Sequence, residues 1–211
     1  LVHRVKEMAP DPETLVIVNC AGRTRSIIGA QSLINARLEN RVVALENGTM
    51  GWELAGFDVA RGEDVHAPDP GPDAQAWAEA AAADVGARFG VDTCTPSEVD
   101  TWAADTGRTT YLLDVRTPEE FEEGHVDGSR NAPGGQLVQA TDEYVATLGA
   151  RLVLIDDNGV RATMTASWLR QLGWHDTMVL AGGVHDMAAT GVTLRTGPRA
   201  RTPVERVPTL K

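Results

Sequence analysis

The sequence predicts an α/β protein with parallel sheets flanked by helices, arranged as two related units. Three observations carry this expectation. Short apolar runs alternate with helical patterns, the arrangement of strand–helix–strand units. The arrangement occurs twice, since "TLVIVNCAGRTRSIIGAQSLINARL" followed by "VVALENGTMGWELAG" parallels "ARLVLIDDNGVRATMTASWLRQLGW" followed by "TMVLAGGVHDMAATG". The two copies are separated by "GEDVHAPDPGPD", residues 62–73, whose prolines and glycines continue neither a helix nor a central strand.

In chain order, "LVHRVKEMAPDPETL" leads to a buried strand at Val16–Val18. A glycine-containing loop follows from Cys20, then a helix that Ser26 opens, a second strand and a Gly-rich turn. Beyond the linker, the Ala-rich stretch from Ala74 to Phe89 reads as a connecting helix. The second copy is longer. Thr95 caps a helix with Pro96 at its first position. "TYLLDV" is a buried strand, and Thr117 caps a short helix begun by Pro118. "HVDGSRNAP" is a turn and short strand, and "GQLVQATDEYVATL" is a helix ahead of the repeated loop. The first copy lacks this front half. The division is 1–61 for the partial unit, 62–90 for linker and connecting helix, 91–192 for the complete unit, and 193–211 for an extended tail or linker.

Composition narrows the function. The chain has 211 residues, is 42% hydrophobic and carries a net charge of -11, which argues against a nucleic-acid partner. No apolar run reaches the length of a membrane span. The cysteines, Cys20 and Cys94, are too few for a disulfide framework, so a reduced, cytoplasmic setting is expected.

At these residues the chain resembles the rhodanese superfamily. "LLDVRTPEEFEEGHVDGSRNAPGGQL" in the second copy is similar to that family's D-V-R…E-F…G-H-I-x-G-A-x-N signature, and "VNCAGRTRS" with "ENGTMGWELAG" to its active-site loop and closing element. The resemblance implies tandem rhodanese modules, a central parallel sheet, and a cysteine that carries a persulfide sulfur without metal or organic cofactor.

The loop residues themselves suit that chemistry. Cys20 ends a strand, where ligands bind in open α/β sheets. Ala21, Gly22, Arg23, Thr24, Arg25 and Ser26 form the expected anion-binding loop. Its N–H groups, the helix start and two arginines favour thiolate over thiol. The expected activity is thiosulfate sulfurtransfer, with a small anionic donor and a thiophilic acceptor such as cyanide or a thiol. Two alternatives are a non-catalytic interaction module and a phosphatase of the same fold. The phosphatase is disfavoured because Arg25 follows Cys20 after four residues rather than five.

Laying the loops together on their glycines sets Asp157 against Cys20 and Gly159 against Gly22, so the second module is expected to be inactive. Cys94 reads as a small apolar residue of an edge strand or turn. His125, Asp114 and Arg116 read as fold-holding polar residues, and Glu119 to Glu123 as a solvated helix face. His66, His175 and His185 show no metal-ligand spacing. The absent half of the first module is expected from additional polypeptide.

Overall fold

The computed structural model describes residues 1–63, 65–189 and 194–198. The expected tail at 193–211 therefore lies mostly outside the described residues. Arg195 bridges antiparallel to His125, and Leu194 packs on the core beneath.

The second unit forms a five-stranded parallel sheet in the order β3-β7-β6-β4-β5. Its strands are β3 (Asp92–Cys94), β4 (Thr110–Asp114), β5 (Arg130–Asn131), β6 (Arg151–Ile155) and β7 (Thr177–Leu180). Leu152, Val153 and Leu154 are fully buried, as expected for a central strand covered on both faces. Helices α5 (Pro96–Ala103), α6 (Pro118–Glu123), α7 (Gly134–Gln139), α8 (Thr141–Tyr144), α9 (Val160–Gln171) and α10 (Gly183–Ala189) surround it. Thr95 and Thr117 each cap their helix in a reciprocal capping box, with Glu98 and Glu120.

The first unit has two parallel strands, β1 (Val16–Val18) and β2 (Val42–Ala44), with α1 (Val5–Met8), α2 (Thr24–Asn35) and α3 (Gly48–Leu54). β1 and β2 correspond to β6 and β7, so the flanking strands of the complete sheet have no counterpart among the described residues. The consequence shows in burial. Ile17 is 55% exposed, whereas Val153 at the same place in β6 is 0% exposed.

Helix α4 (Pro72–Phe89) begins two residues earlier than the sequence suggests, with Pro72 in its first turn. It does more than connect. Ala78, Ala81, Ala82 and Val85 share one core with Val18 and Leu33 of the first unit and Val160 and Met164 of the second. Small side chains let α4 come close, and a Cβ on Gly86 would stand 3.0 Å from Thr163. Trp168 Nε1 on α9 donates to Ser32 Oγ on α2 at 2.9 Å, tying the two repeated helices together.

Candidate active site

The repeat fixes which residues are equivalent. The Val16 N–H donates to the Arg41 carbonyl at 2.9 Å, and the Leu152 N–H to the Asp176 carbonyl at 2.9 Å. The Thr49 N–H donates to the Cys20 carbonyl and the Val184 N–H to the Asp156 carbonyl, both at 2.9 Å. Arg23 and Gly159 cap α2 and α9. The counterpart of Cys20 is thus Asp156, not Asp157. The two glycines that suggested the other pairing are not equivalent. Gly159 is itself the left-handed cap at φ 82°, a position filled by Arg23 in the first loop.

β1 delivers Cys20 to its C-terminal end, and α3 holds the loop from beneath. Thr49 and Met50 donate to the Cys20 and Ala21 carbonyls at 2.9 and 3.0 Å. Gly48, at φ 61°, is needed here, because a Cβ would overlap the Gly22 and Cys20 carbonyl oxygens. The helix starts at Thr24, not Ser26. Cys20 Sγ lies 3.5 Å from Ser26 Oγ, which donates to the Arg23 carbonyl at 2.8 Å. Partial desolvation pushes the Cys20 thiol up. It is outweighed by hydrogen bonding from the Ser26 side chain, the Ser26 and Gly22 backbone and the charge of Arg25, so its pKa is lowered. Cys20 is half-buried and free.

The six expected loop residues do not share one role. Gly22 and Ser26 bear on the sulfur directly, and Arg25 acts through its charge. Arg25 lines a cavity of about 500 Å³ that Cys20 opens into, whereas Arg23 does not. Ala21 and Thr24 are exposed and do not line it.

That cavity is where sequence reasoning fell short, because the second unit builds much of its wall. Val115, Arg116 and Thr117 after β4, Gly134, Gly135 and Gln136 of α7, and Thr165 and Trp168 of α9 all line it. No loop motif marks them. The adjacent glycines in "PGGQ" were the available signal.

In the second loop, Asp156 accepts from the Gly159 and Ala162 N–H groups at 2.7 and 3.0 Å and is fully buried. Burial raises its pKa despite those donors. Asp157 instead joins two arginines, Arg116 at 3.0 Å and Arg161 at 2.5 Å. Arg116 also grips Asp114 at 2.7 Å, a buried ion pair. The run from Glu119 to Glu123 is not wholly solvated. Phe121 is buried, and Glu120 meets Arg161 at 2.7 Å. His125 is buried, with Nδ1 2.8 Å from the Phe121 carbonyl and its ring stacked on Phe121. Cys94 is buried in the edge strand β3, and burial followed by the charge of Glu98 lifts its thiol to about 11. Among the described residues no group of three His, Cys, Asp or Glu is placed to hold a metal, and no helix is long and apolar enough to cross a membrane.

Residues 95–190 match the family model of the rhodanese-like domain. The crystal structure of a thiosulfate sulfurtransferase from Pseudomonas aeruginosa superposes with a TM-score of 0.88 at 51% identity, over 96% of this chain and 38% of that one. The uncharacterized protein YqhL of Bacillus subtilis is 40% identical over 76 residues, 36% of this chain and 59% of YqhL. The probable adenylyltransferase/sulfurtransferase MoeZ of Mycobacterium tuberculosis is 30% identical over 92 residues, 44% of this chain and 23% of MoeZ. Residues 95–190 are thus a rhodanese-like domain, and the chain as a whole is similar to a thiosulfate sulfurtransferase. It spans less than two thirds of each of these proteins.

Proposed function

We propose that this chain carries the sulfur-transfer centre of a thiosulfate sulfurtransferase, with Cys20 as the nucleophile. The observation that carries the reading is the Cys20 sulfur itself. It is free, half-buried, lowered in pKa by Ser26, Gly22 and Arg25, and opens into a cavity with room for a donor. The sulfurtransferase of Pseudomonas aeruginosa, with 51% identity, supports the same reading.

The Cys20 thiolate attacks the outer sulfur of thiosulfate. The sulfur–sulfur bond of thiosulfate breaks and sulfite leaves with the bonding pair. Cys20 then holds the outer sulfur as a persulfide anion, whose charge sits among the same N–H groups and beside Arg25. Cyanide or a thiolate takes that sulfur and returns Cys20 as thiolate. The loop N–H groups, and the Ser26 hydroxyl once it turns from the Arg23 carbonyl to the sulfur, hold negative charge at Sγ, and Arg25 draws the anionic donor. The second unit has a carboxylate at the corresponding place, which accepts no sulfane sulfur, so it acts as support. The missing flank of β1 is supplied by additional polypeptide resembling residues 92–136, which would cover Ile17 as the complete sheet covers Val153.

The test is mass spectrometry of the chain after thiosulfate treatment. One added sulfur on Cys20, with sulfite released, is expected. Cys20→Ser should show neither and should melt like the parent, because the change is small and lies in a loop. Full turnover by Cys20→Ser would overturn the proposal.

A further inference from the structure

Gly134 and Gly135 open α7 on the wall of the Cys20 cavity. The two adjacent glycines serve different ends. A Cβ on Gly134 would collide with the Thr165 hydroxyl, so that glycine lets α7 pack on α9. Gly135 is exposed and has no such neighbour. A Cβ there would find one atom within 4 Å, Arg25 Cδ at 4.0 Å, which is ordinary contact. Its φ is not positive either, so any residue could adopt its backbone. Glycine is a poor helix former. Packing and backbone conformation therefore give no reason for glycine at 135. What the bare position does is keep open the space beside Arg25.

The cavity's contents point to who uses that space. About 500 Å³ is the size of a small-molecule site and far more than cyanide fills. Of the three arginines on its wall, Arg116 and Arg161 are held by carboxylates, while Arg25 has no carboxylate partner among the described residues. Once sulfite has left, Arg25 is again available to an anion. Val138 and Met164 offer apolar surface to an aliphatic body.

We infer that Gly135 is a specificity-determining position, leaving room in the cavity between the units for an organic thiol bearing a carboxylate as the sulfur acceptor. This rests on the reading of Cys20 as the persulfide carrier. The acceptor loses its thiol proton to solvent, and its thiolate attacks the outer sulfur of the Cys20 persulfide. The bond from that sulfur to Sγ breaks, Cys20 leaves as thiolate, and the acceptor departs as a persulfide. No further oxidant or reductant takes part.

The experiment compares the parent chain with Gly135→Ala and Gly135→Leu, using thiosulfate as donor and glutathione or cyanide as acceptor. The readout is the ratio of kcat/KM for glutathione to kcat/KM for cyanide. It should fall at least tenfold in Gly135→Leu and less than threefold in Gly135→Ala. Gly135→Gln, polar and unbranched, carries the same test should the leucine variant not fold. A ratio unchanged in the larger variants, including the case where both acceptors slow equally, overturns the inference. Absence of a persulfide on Cys20 in the parent chain would be the failure of the underlying reading instead, and mass spectrometry separates the two.

Discussion

Replacing Gly48 by alanine tests whether the strand-end geometry, rather than the cysteine alone, makes the site. Gly48 sits at φ 61°, in the left-handed region, where a Cβ costs roughly 1–2 kcal/mol. The new methyl would overlap two backbone carbonyl oxygens, at Cys20 and Gly22, and neither can rotate away as a side chain would. Relieving such overlap by backbone shift costs about 1–3 kcal/mol. The Thr49 and Met50 N–H bonds to Cys20 and Ala21 stretch with it. A loss of about 2–5 kcal/mol follows, which for a chain of this size lowers Tm by roughly 4–20 °C. Gly183 is the internal control. It stands at φ 58°, and its Cβ would overlap the Asp156 and Asp157 carbonyls in the same way. Gly183→Ala should lose similar stability. Only Gly48→Ala should also lose about a hundredfold in the rate of persulfide formation, because a shift of about 1 Å at a reacting group costs that much. The assay is thermal unfolding, together with single-turnover sulfite release at a temperature where both variants remain folded. Equal loss of rate per folded molecule in the two variants, or an unchanged Tm for Gly48→Ala, would refute the reasoning.

The two arginines should separate. Arg25→Ala should raise the KM for thiosulfate about tenfold, as expected for a lost charge-assisted contact, and Arg23→Ala by less than twofold; steady-state kinetics decides, and equal effects would mean that the cavity wall does not define the donor site. Ser26→Ala imports the residue found at Ala162 and so should fold normally, yet it removes a group that lowers the Cys20 pKa. The thiolate is the reactive form, so the rising limb of the pH–rate profile should move to higher pH, and a limb that stays in place would clear Ser26 of that role. Asp156→Cys, made with Cys20→Ser, should react with a thiol reagent at least a hundredfold slower than Cys20 does in the parent, because position 156 is fully buried; Asp157→Cys should react faster than Asp156→Cys but gain no persulfide.

What the sequence made legible was local. The strand–helix alternation, both threonine caps and the glycine-bearing loop after Cys20 depend on residues close in the chain, and the structure has them. Pairing the loops on their glycines sets Cys20 one residue away from its structural counterpart, Asp156. Glycine looks like a fixed landmark in a sequence, but Gly22 and Gly159 meet different backbone needs, and only the strand hydrogen bonds reveal the register. The role of α4 was hidden for a similar reason. Alanine reports helix propensity plainly, but that its small side chains seat the helix against both units is a matter of packing. The cavity wall from α7 and α9 was the least legible part, since nothing near residue 20 in the chain encodes what folds against it.

The two loops share a backbone and differ in what surrounds it, which shows what the chemistry needs. N–H groups of the loop and helix start face Cys20 and Asp156 alike. Yet one group is half-buried with a lowered pKa, and the other is sealed with a raised one. The same cradle therefore goes with opposite pKa directions, and burial is the largest cause of the rise at Asp156. The next residue decides much of the rest. After Cys20 comes Ala21, and Arg25 has no carboxylate partner among the described residues. After Asp156 comes Asp157, which captures Arg161, the counterpart of Arg25, and Glu120 holds the same guanidinium from the other side. A cation so held has little attraction left for a substrate anion. The carboxylate in place of a thiol and the neutralised arginine point the same way. The second loop is a set of ion pairs that joins α6, β4 and α9, and α9 packs in turn on α7, whose bare Gly135 lines the cavity that Cys20 opens into.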